Sequence, residues 1–122
     1  MMSKMDERIT PFIESNLQFI RQRATELRLH HPLRPSEREV SMELGHAPGY
    51  YQQLVNGKLR PSTVGLLEIC EYYELEPQEF FDSTIKNPSI HKKIAQAIEK
   101  LDESDIEHLL AIIGKMTGES ND

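Results

Sequence analysis

The sequence predicts an all-α fold, with a five-helix domain followed by a two-helix hairpin. Prolines and glycines divide the 122 residues into short segments, and no segment has the long alternation of apolar and polar residues that indicates a strand. Several segments instead carry apolar residues at three- and four-residue spacing, which indicates amphipathic helices. A chain of this length has room for one domain with a modest core and a short appended element.

The first helix is expected over residues 11–29. Pro11 suits a first helical position, because the N–H that it lacks would have no helical partner there. Residues 30–35 include two prolines and cannot continue the helix, so we expect a loop. The apolar residues expected to face the core are Phe12, Leu17, Ile20, Ala24 and Leu27.

Two short helices are expected next, and they meet across about three residues. Ser36 begins the second helix, where Glu39 completes a capping box. The second helix ends at Gly45, which can take a left-handed cap conformation. The third helix begins with Pro48 at its first position and ends at the pair 56–57, an Asn-Gly sequence that tolerates positive φ.

A fourth helix is predicted from Ser62, as its N-cap, to Tyr73. A short fifth turn over residues 77–81 closes the first domain. The apolar residues of the fourth helix that recur at helical spacing, and are expected to be buried, are Leu66, Ile69, Cys70 and Tyr73.

Residues 82–88 are polar and are expected to join two domains, 1–82 and 83–122. The second domain is predicted to be a helical hairpin over residues 88–101 and 104–116, with a Ser104–Glu107 capping box. Two such helices cannot bury both apolar stripes alone. They must pack on the first domain, on a second copy or on both, and we expect a homodimer formed through these helices. Residues 117–122 are expected to be frayed.

The net charge of −6 is unevenly distributed. Residues 1–61 hold nine Lys or Arg against seven Asp or Glu, a net of +2, whereas residues 62–122 hold five against thirteen, a net of −8. Binding to duplex DNA depends on cations that displace counterions from phosphates. Any phosphate-facing surface must therefore come from the first half, and the asymmetry fits a protein that binds DNA with one face. A purely solvating acidic surface would give the same total charge.

The sequence also indicates a cytoplasmic protein that does not interact with membranes. The single cysteine, Cys70, excludes an internal disulfide framework and fits a reducing compartment. The charged residues 1–9 are followed by no apolar segment typical of a secretory signal. The longest apolar stretches are shorter than the roughly 20 residues that span a bilayer.

Nothing in the sequence predicts an enzyme. None of the five histidines has a partner at metal-ligand spacing, so no metal site is expected. Glycine-rich phosphate loops, paired carboxylates and nucleophile motifs are not found in the sequence. We therefore expect neither a cofactor nor a small-molecule ligand.

Residues 37–56 carry the pattern that predicts function. A small residue at Ser41 lets the second helix approach the third, and Gly45 permits the tight turn between them. The residues expected to point inward and fix the two axes are Val40, Leu44, Tyr51 and Leu54. Helical geometry then turns the opposite face outward, where it can enter a major groove, and that face carries Gly49, Gln52, Gln53 and Asn56.

Five segments extend the pattern in a fixed order: SEREVSMELG at 36–45, YQQLVNGK at 51–58, PS at 61–62, LLEIC at 66–70 and PQEFF at 77–81. With this order and spacing, residues 12–81 resemble the Cro and phage-repressor (XRE-type) family of helix-turn-helix regulators. The resemblance implies a repressor-like DNA-binding domain whose third helix lies in the major groove. It also implies that the Asn-Gly-Lys turn and the start of the fourth helix face phosphates, and that a dimer binds an inverted repeat of double-stranded DNA.

The resemblance assigns candidate roles to individual residues. Gln53 is the first choice for a base contact, because glutamine can pair both its donor and its acceptor with adenine. The base-contact candidates are Gln52, Gln53, Gly49 and Tyr50. The phosphate-contact candidates are Asn56, Gly57, Lys58, Arg60, Ser62, Thr63, Ser36 and Arg21, with Arg23 as an alternative to Arg21 on the exposed side of the first helix.

The leading hypothesis is thus a transcriptional regulator, a repressor, that reads DNA through residues 48–56. The alternative is a protein-interaction adaptor or antitoxin-like partner that keeps the fold without specific DNA binding. The acidic second half, the charge of Glu37 and the start of the third helix at 47–49, which offers no polar side chain, favour this alternative. A helical bundle that merely contains a tight corner is the remaining interpretation.

Overall fold

Helices account for all the regular secondary structure in the described residues. The structure, a computed structural model, describes residues 3–118 apart from the side chain of Ser89. This range contains no strand, which confirms the all-α prediction. The helices are α1 (Lys4–Leu29), α2 (Glu37–Glu43), α3 (Tyr50–Val55), α4 (Thr63–Tyr72), α5 (Pro77–Phe80), α6 (Pro88–Ile98) and α7 (Glu103–Thr117). The chain divides into two compact units, Met1–Ser89 and Ile90–Asp122.

Helix α1 begins seven residues earlier than predicted. Ser3 is its N-cap: the Ser3 side chain accepts a hydrogen bond from the Asp6 N–H, and the Asp6 carboxylate accepts one from the Ser3 N–H. This capping box starts the helix at Lys4 and leaves Pro11 in the helix interior. Because Pro11 lies on an exposed part of α1, water can solvate the carbonyl oxygen that loses its helical partner.

The core of the first unit forms around α3. Tyr51 and Leu54 are fully buried, as is Val40 on α2, and Leu44 packs against them, as the sequence pattern predicts. Phe12 was wrongly placed in the buried stripe of α1 and is 68% exposed. The remaining buried apolar side chains are Ile20, Ala24, Leu27, Ile69, Cys70, Tyr73, Leu75 and Phe80.

The second unit contains α7 and most of α6. Helix α7 is capped by Asp102 and Asp105, not by the predicted Ser104–Glu107 pair. Aspartate and serine are both good N-cap residues, so the sequence alone does not decide whether Asp102 or Ser104 begins α7. Helix α7 continues through Thr117 and ends at Gly118 with φ +74°, so Thr117 is helical rather than frayed, and residues 119–122 lie outside the described range.

Much of the apolar surface of the second unit is exposed. On α7, Leu110, Ile113 and Met116 are spaced three residues apart and are 58%, 45% and 81% exposed. Ile94 on α6 is also exposed, whereas Ile106 and Leu109 are half-buried. Over residues 3–118, no helix has the length and apolar character required to cross a membrane.

Candidate nucleic-acid interface

Residues 44–49 connect α2 to α3 through two tight turns. Gly45 adopts φ +80°, as predicted, and the next residue, His46, donates its N–H to the carbonyl oxygen of Ser41. The Tyr50 N–H then donates to the carbonyl oxygen of Ala47. This closes a type I turn with Pro48 at its second position. Pro48 therefore precedes α3 and is not its first residue, which corrects the prediction.

Ser41 joins α2 to α3 by hydrogen bonds. Its buried hydroxyl donates to the carbonyl oxygen of Glu37 at 2.8 Å and accepts the N–H of Tyr51 at 2.9 Å. The N-cap of α3 is Gly49, which has no side chain to accept an N–H of the first turn. Ser41 thus supplies the capping acceptor from the neighbouring helix. The sequence pattern predicted only a small residue here, and the choice of serine over alanine was the available signal.

Tyr51 attaches α3 to the rest of the first unit. Its buried hydroxyl hydrogen-bonds to the carbonyl oxygen of Ala24 on α1 and lies 2.9 Å from the hydroxyl of Tyr73 at the end of α4. Burial raises the pKa of Tyr51. Burial also raises the pKa of Tyr73, in this case to about 12. Both phenols are therefore neutral at physiological pH, and the hydrogen-bonded pair fixes the orientation of α3.

The outward face of α3 carries the predicted glutamines. Gln52 and Gln53 are exposed on the side of the helix opposite Tyr51 and Leu54. A β-carbon added at Gly49 would lie 3.7 Å from Nε2 of Gln53, an ordinary van der Waals distance. Gly49 and Gln53 are therefore neighbours, and the amide groups of both glutamines lie on the exposed face of α3.

Tyr50 is held within the protein. Its ring stacks on that of His46, with 3.8 Å between centroids and an interplanar angle of 10°. A β-carbon added at Gly65 would come within 2.6 Å of the Tyr50 hydroxyl oxygen, so Gly65 makes room for this side chain beside α4. His46 in turn lies 3.3 Å from a carboxylate oxygen of Glu68. Tyr50 thus joins α3 to α4, which makes it a weaker candidate for a base contact than the glutamines.

The turn after α3 lies beside an arginine of α1. Gly57 adopts φ +85°, and the side chain of Asn56 accepts the N–H of Lys58. A β-carbon added at Gly57 would lie 3.7 Å from Nη1 of Arg21. The guanidinium of Arg21 therefore lies beside this turn, although α1 is distant in sequence. Residues 56–58 and Arg21 form what we call the turn cluster.

The other phosphate candidates lie near the start of α4 or of α2. Ser62 is the N-cap of α4, as predicted, and its hydroxyl oxygen accepts the Gly65 N–H, while Thr63 is exposed. Arg60 forms an ion pair with Glu14 at 3.3 Å. Both partners are exposed, and such pairs contribute little, so Arg60 can exchange its partner at small cost.

Ser36 is exposed and caps α2 by accepting the Glu39 N–H. Its hydroxyl donates to the Glu39 carboxylate at 3.2 Å. The Glu39 side chain therefore reaches the serine hydroxyl rather than the backbone N–H that a full capping box would use. Ser36 is thus exposed at the protein surface.

Arg23 is a structural residue and not an exposed phosphate contact. It is 4% exposed, and its guanidinium donates to the carbonyl oxygens of Phe80, Asp82 and Ile85 at 2.9, 2.6 and 2.7 Å. The prediction placed this arginine on the exposed side of α1. The acceptors lie 57 or more residues away in sequence, so no local pattern identifies them.

The charge of Glu37, which counts against phosphate binding, is partly offset in the structure. Its half-buried carboxylate lies 3.8 Å from the guanidinium of Arg28. Arg28 also donates to the carbonyl oxygen of Pro35. The cation on α1 therefore reduces the negative potential at the start of α2.

The remaining cysteine and histidine residues add no metal-binding group within residues 3–118. Cys70 is buried, and burial raises the pKa of its thiol, as expected for a small core residue. No group of three histidine, cysteine, aspartate or glutamate side chains that could hold a metal ion occurs in the part of the chain that the structure describes. Comparison of the chain with protein-family models, with curated proteins and with solved structures finds no match.

Proposed function

We propose that this protein is a sequence-specific DNA-binding transcriptional regulator whose α2 and α3 form a helix-turn-helix. One observation carries the proposal: the exposed glutamines of α3 directly precede the turn at 56–58, and Arg21 of α1 lies beside Gly57 of that turn. A reading helix followed directly by a cationic, amide-rich turn is the arrangement needed to contact bases and phosphates together.

Gln52 and Gln53 would read base edges in the major groove. A glutamine amide can donate to one atom of adenine and accept from another, and a good bidentate pair discriminates by about 1–3 kcal/mol. Such discrimination requires a fixed helix axis. The hydrogen bonds of Ser41 and Tyr51 support this role, because they hold α3 against α2 and α1.

The turn cluster and the start of α4 would hold the phosphate backbone. Arg21, Lys58 and Arg60 would supply the charge, and the backbone and side chains of residues 56–57 and 62–63 would supply hydrogen bonds. Each phosphate contact by a cation contributes about −0.9 to the slope of log affinity against log salt. Three cations therefore predict a slope of about −3 per protomer.

A homodimer formed through the second unit would present two α3 helices. The exposed apolar side chains of α7 support this assembly, since a second copy can cover them. Two reading helices related by a two-fold axis match an inverted repeat with half-sites about 34 Å apart, or a multiple of that distance. Occupation of such an operator would block transcription, which is the action of a repressor.

Selection from a random duplex pool with the full-length protein tests the proposal. We expect enrichment of one motif with two-fold symmetry, and a much lower affinity for a shuffled duplex of the same composition. Gln53→Ala should lower the affinity for the selected duplex, whereas Gln78→Ala, an exposed glutamine on α5, should not. A selection that enriches no sequence would contradict sequence-specific binding.

A second candidate function, an adaptor or antitoxin-like partner, is favoured by the contacts that Tyr50 makes within the protein. The ring of Tyr50, a predicted base contact, is stacked on His46. The double variant Gln53→Ala with Lys58→Ala separates the two functions. It abolishes operator binding in a regulator, with the dimer intact, and has no effect on partner binding in an adaptor.

A further inference from the structure

A groove lies between the end of α2 and the outer face of α4. Its volume is about 510 Å³. The apolar part of its lining comes from Leu44, Val64, Leu67 and Tyr72, and the charged part comes from Glu43, Glu68 and Glu71. We call this feature the α2–α4 groove.

Two apolar side chains of the groove are exposed on α4. Val64 and Leu67 lie one turn apart on α4 and are 67% and 48% exposed, while Ile69 and Cys70 on the same helix are buried in the core. Helix α4 is thus apolar on two faces, and only one of them serves the fold. Exposed apolar side chains that lie next to one another and are surrounded by polar residues are typical of protein interaction sites.

The charges around the groove are all negative. Glu43 lies on the α2 side, and Glu68 and Glu71 lie on α4. The segment 62–82, which supplies most of the groove, contains six acidic residues and no lysine or arginine. Phosphates of DNA and anionic lipid headgroups would be repelled here. The complementary occupant carries apolar side chains together with lysine or arginine.

The groove is separate from the predicted DNA-binding residues. None of its seven lining residues belongs to the set assigned to base or phosphate contacts. The two surfaces are neighbours, because Glu68 contacts His46, on which Tyr50 stacks, and Val64 directly follows Thr63. Glu43, Leu67 and Glu71 take no part in these contacts, so substitutions there test an occupant separately from DNA.

We propose that the α2–α4 groove binds an amphipathic helix of a partner protein that carries leucine-like side chains flanked by lysine or arginine. Val64 and Leu67 would contact apolar side chains spaced three or four residues apart on the bound helix. Glu43 and Glu71, one on each side of the groove, would pair with its basic residues. This interaction goes beyond the proposed DNA-binding function and does not depend on it.

A synthetic peptide tests the proposal with the full-length protein. The probe is an amphipathic leucine–lysine helix of about four turns, labelled for fluorescence anisotropy. We expect Leu67→Asp to weaken its binding by about tenfold or more. The double variant Glu43→Lys with Glu71→Lys should lose affinity for the leucine–lysine peptide and should instead bind a matched leucine–glutamate peptide. Glu7→Lys with Glu103→Lys, which makes the same charge change elsewhere, should retain the preference of the unmodified protein.

Folding and self-association have separate controls. Leu67 is exposed, so circular dichroism melting of Leu67→Asp should match that of the unmodified protein, and Val64→Ala provides a milder second variant. Affinity for a selected duplex should also stay unchanged, which keeps this test distinct from that of DNA binding. The proposal fails if the peptide does not bind, if a scrambled peptide binds equally well, or if Leu67→Asp instead changes the mass of the protein in solution, because a second copy would then be the occupant.

Discussion

The backbone N–H of Tyr51 donates to the hydroxyl oxygen of Ser41, and this 2.9 Å hydrogen bond fixes the angle between α2 and α3. The same hydroxyl donates to the carbonyl oxygen of Glu37, so one side chain satisfies a donor of α3 and is itself anchored within α2. The orientation of the glutamine face therefore depends on a residue that is fully buried and makes no contact with solvent.

Ser41→Ala should lower the free energy of unfolding by about 1–2 kcal/mol, because the buried Tyr51 N–H loses its acceptor. Urea denaturation followed by circular dichroism measures the change. Ser15→Ala is the matched control, since Ser15 is exposed and its hydroxyl bonds only within α1. Equal stability of the two variants would show that the Ser41 hydroxyl does not stabilise the α2–α3 pair.

Alkaline pH should destabilise the first unit through its buried tyrosines. Burial raises the folded-state pKa of Tyr73 to about 12, above the ordinary value of 10.0, and raises that of Tyr51 as well. A raised phenol pKa stabilises the fold fully below pH 10, and this contribution is lost as the pH rises from 10 toward 12. The free energy of unfolding should therefore decline over this interval, and the decline should be smaller for the Tyr73→Phe variant. An unchanged pH dependence in Tyr73→Phe would contradict the assignment.

Arg21→Ala should weaken binding to every duplex, specific or shuffled, and should reduce the salt slope by about 1. The reason is that Arg21 lies beside the turn after α3 and would contact a phosphate, which carries no sequence information. Fluorescence anisotropy over a range of salt concentrations measures both effects.

Arg23→Ala provides the contrast with Arg21. It removes donors from the carbonyl oxygens of Phe80, Asp82 and Ile85, and should lower the melting temperature of the protein, whereas Arg21→Ala should leave the melting temperature nearly unchanged. If Arg21→Ala instead lowered the melting temperature as much and left the salt slope unchanged, Arg21 would be a structural residue.

Leu110→Glu should dissociate the proposed dimer. Leu110, Ile113 and Met116 are exposed along α7, and a carboxylate among them would be desolvated in any interface they form. Sedimentation should give twice the chain mass for the unmodified protein and the chain mass for the variant. His108→Glu on the same helix is the control and should remain dimeric. A monomeric unmodified protein would contradict the assembly.

Local chemistry made several features predictable from the sequence. Glycine adopts positive φ without a steric penalty, so Gly45 and Gly57 were correctly placed at turns. Ser62 was correctly identified as an N-cap, since serine oxygen accepts an N–H of the first helical turn. The inward positions of Val40, Tyr51 and Leu54 followed from the helix-turn-helix spacing over residues 37–56.

Features that depend on distant contacts or on competing caps were not predictable. Pro11 marks a helix start only if no better cap precedes it, and Ser3 is that cap. The burial of Arg23 depends on the carbonyl oxygens of residues 80–85, and no periodicity distinguishes it from Arg21. The stacking of Tyr50 on His46 likewise requires the α2–α3 turn to be formed first.

The glutamine face of α3 is proposed to read the base sequence of DNA, and one ratio of affinities tests this role most directly. The measurement is the affinity of the full-length protein for its selected duplex divided by its affinity for a shuffled duplex, at one fixed salt concentration. Gln53→Ala should reduce this ratio by a factor equivalent to about 1–3 kcal/mol and leave affinity for the shuffled duplex unchanged. A ratio that is unchanged in both Gln52→Ala and Gln53→Ala would contradict the claim.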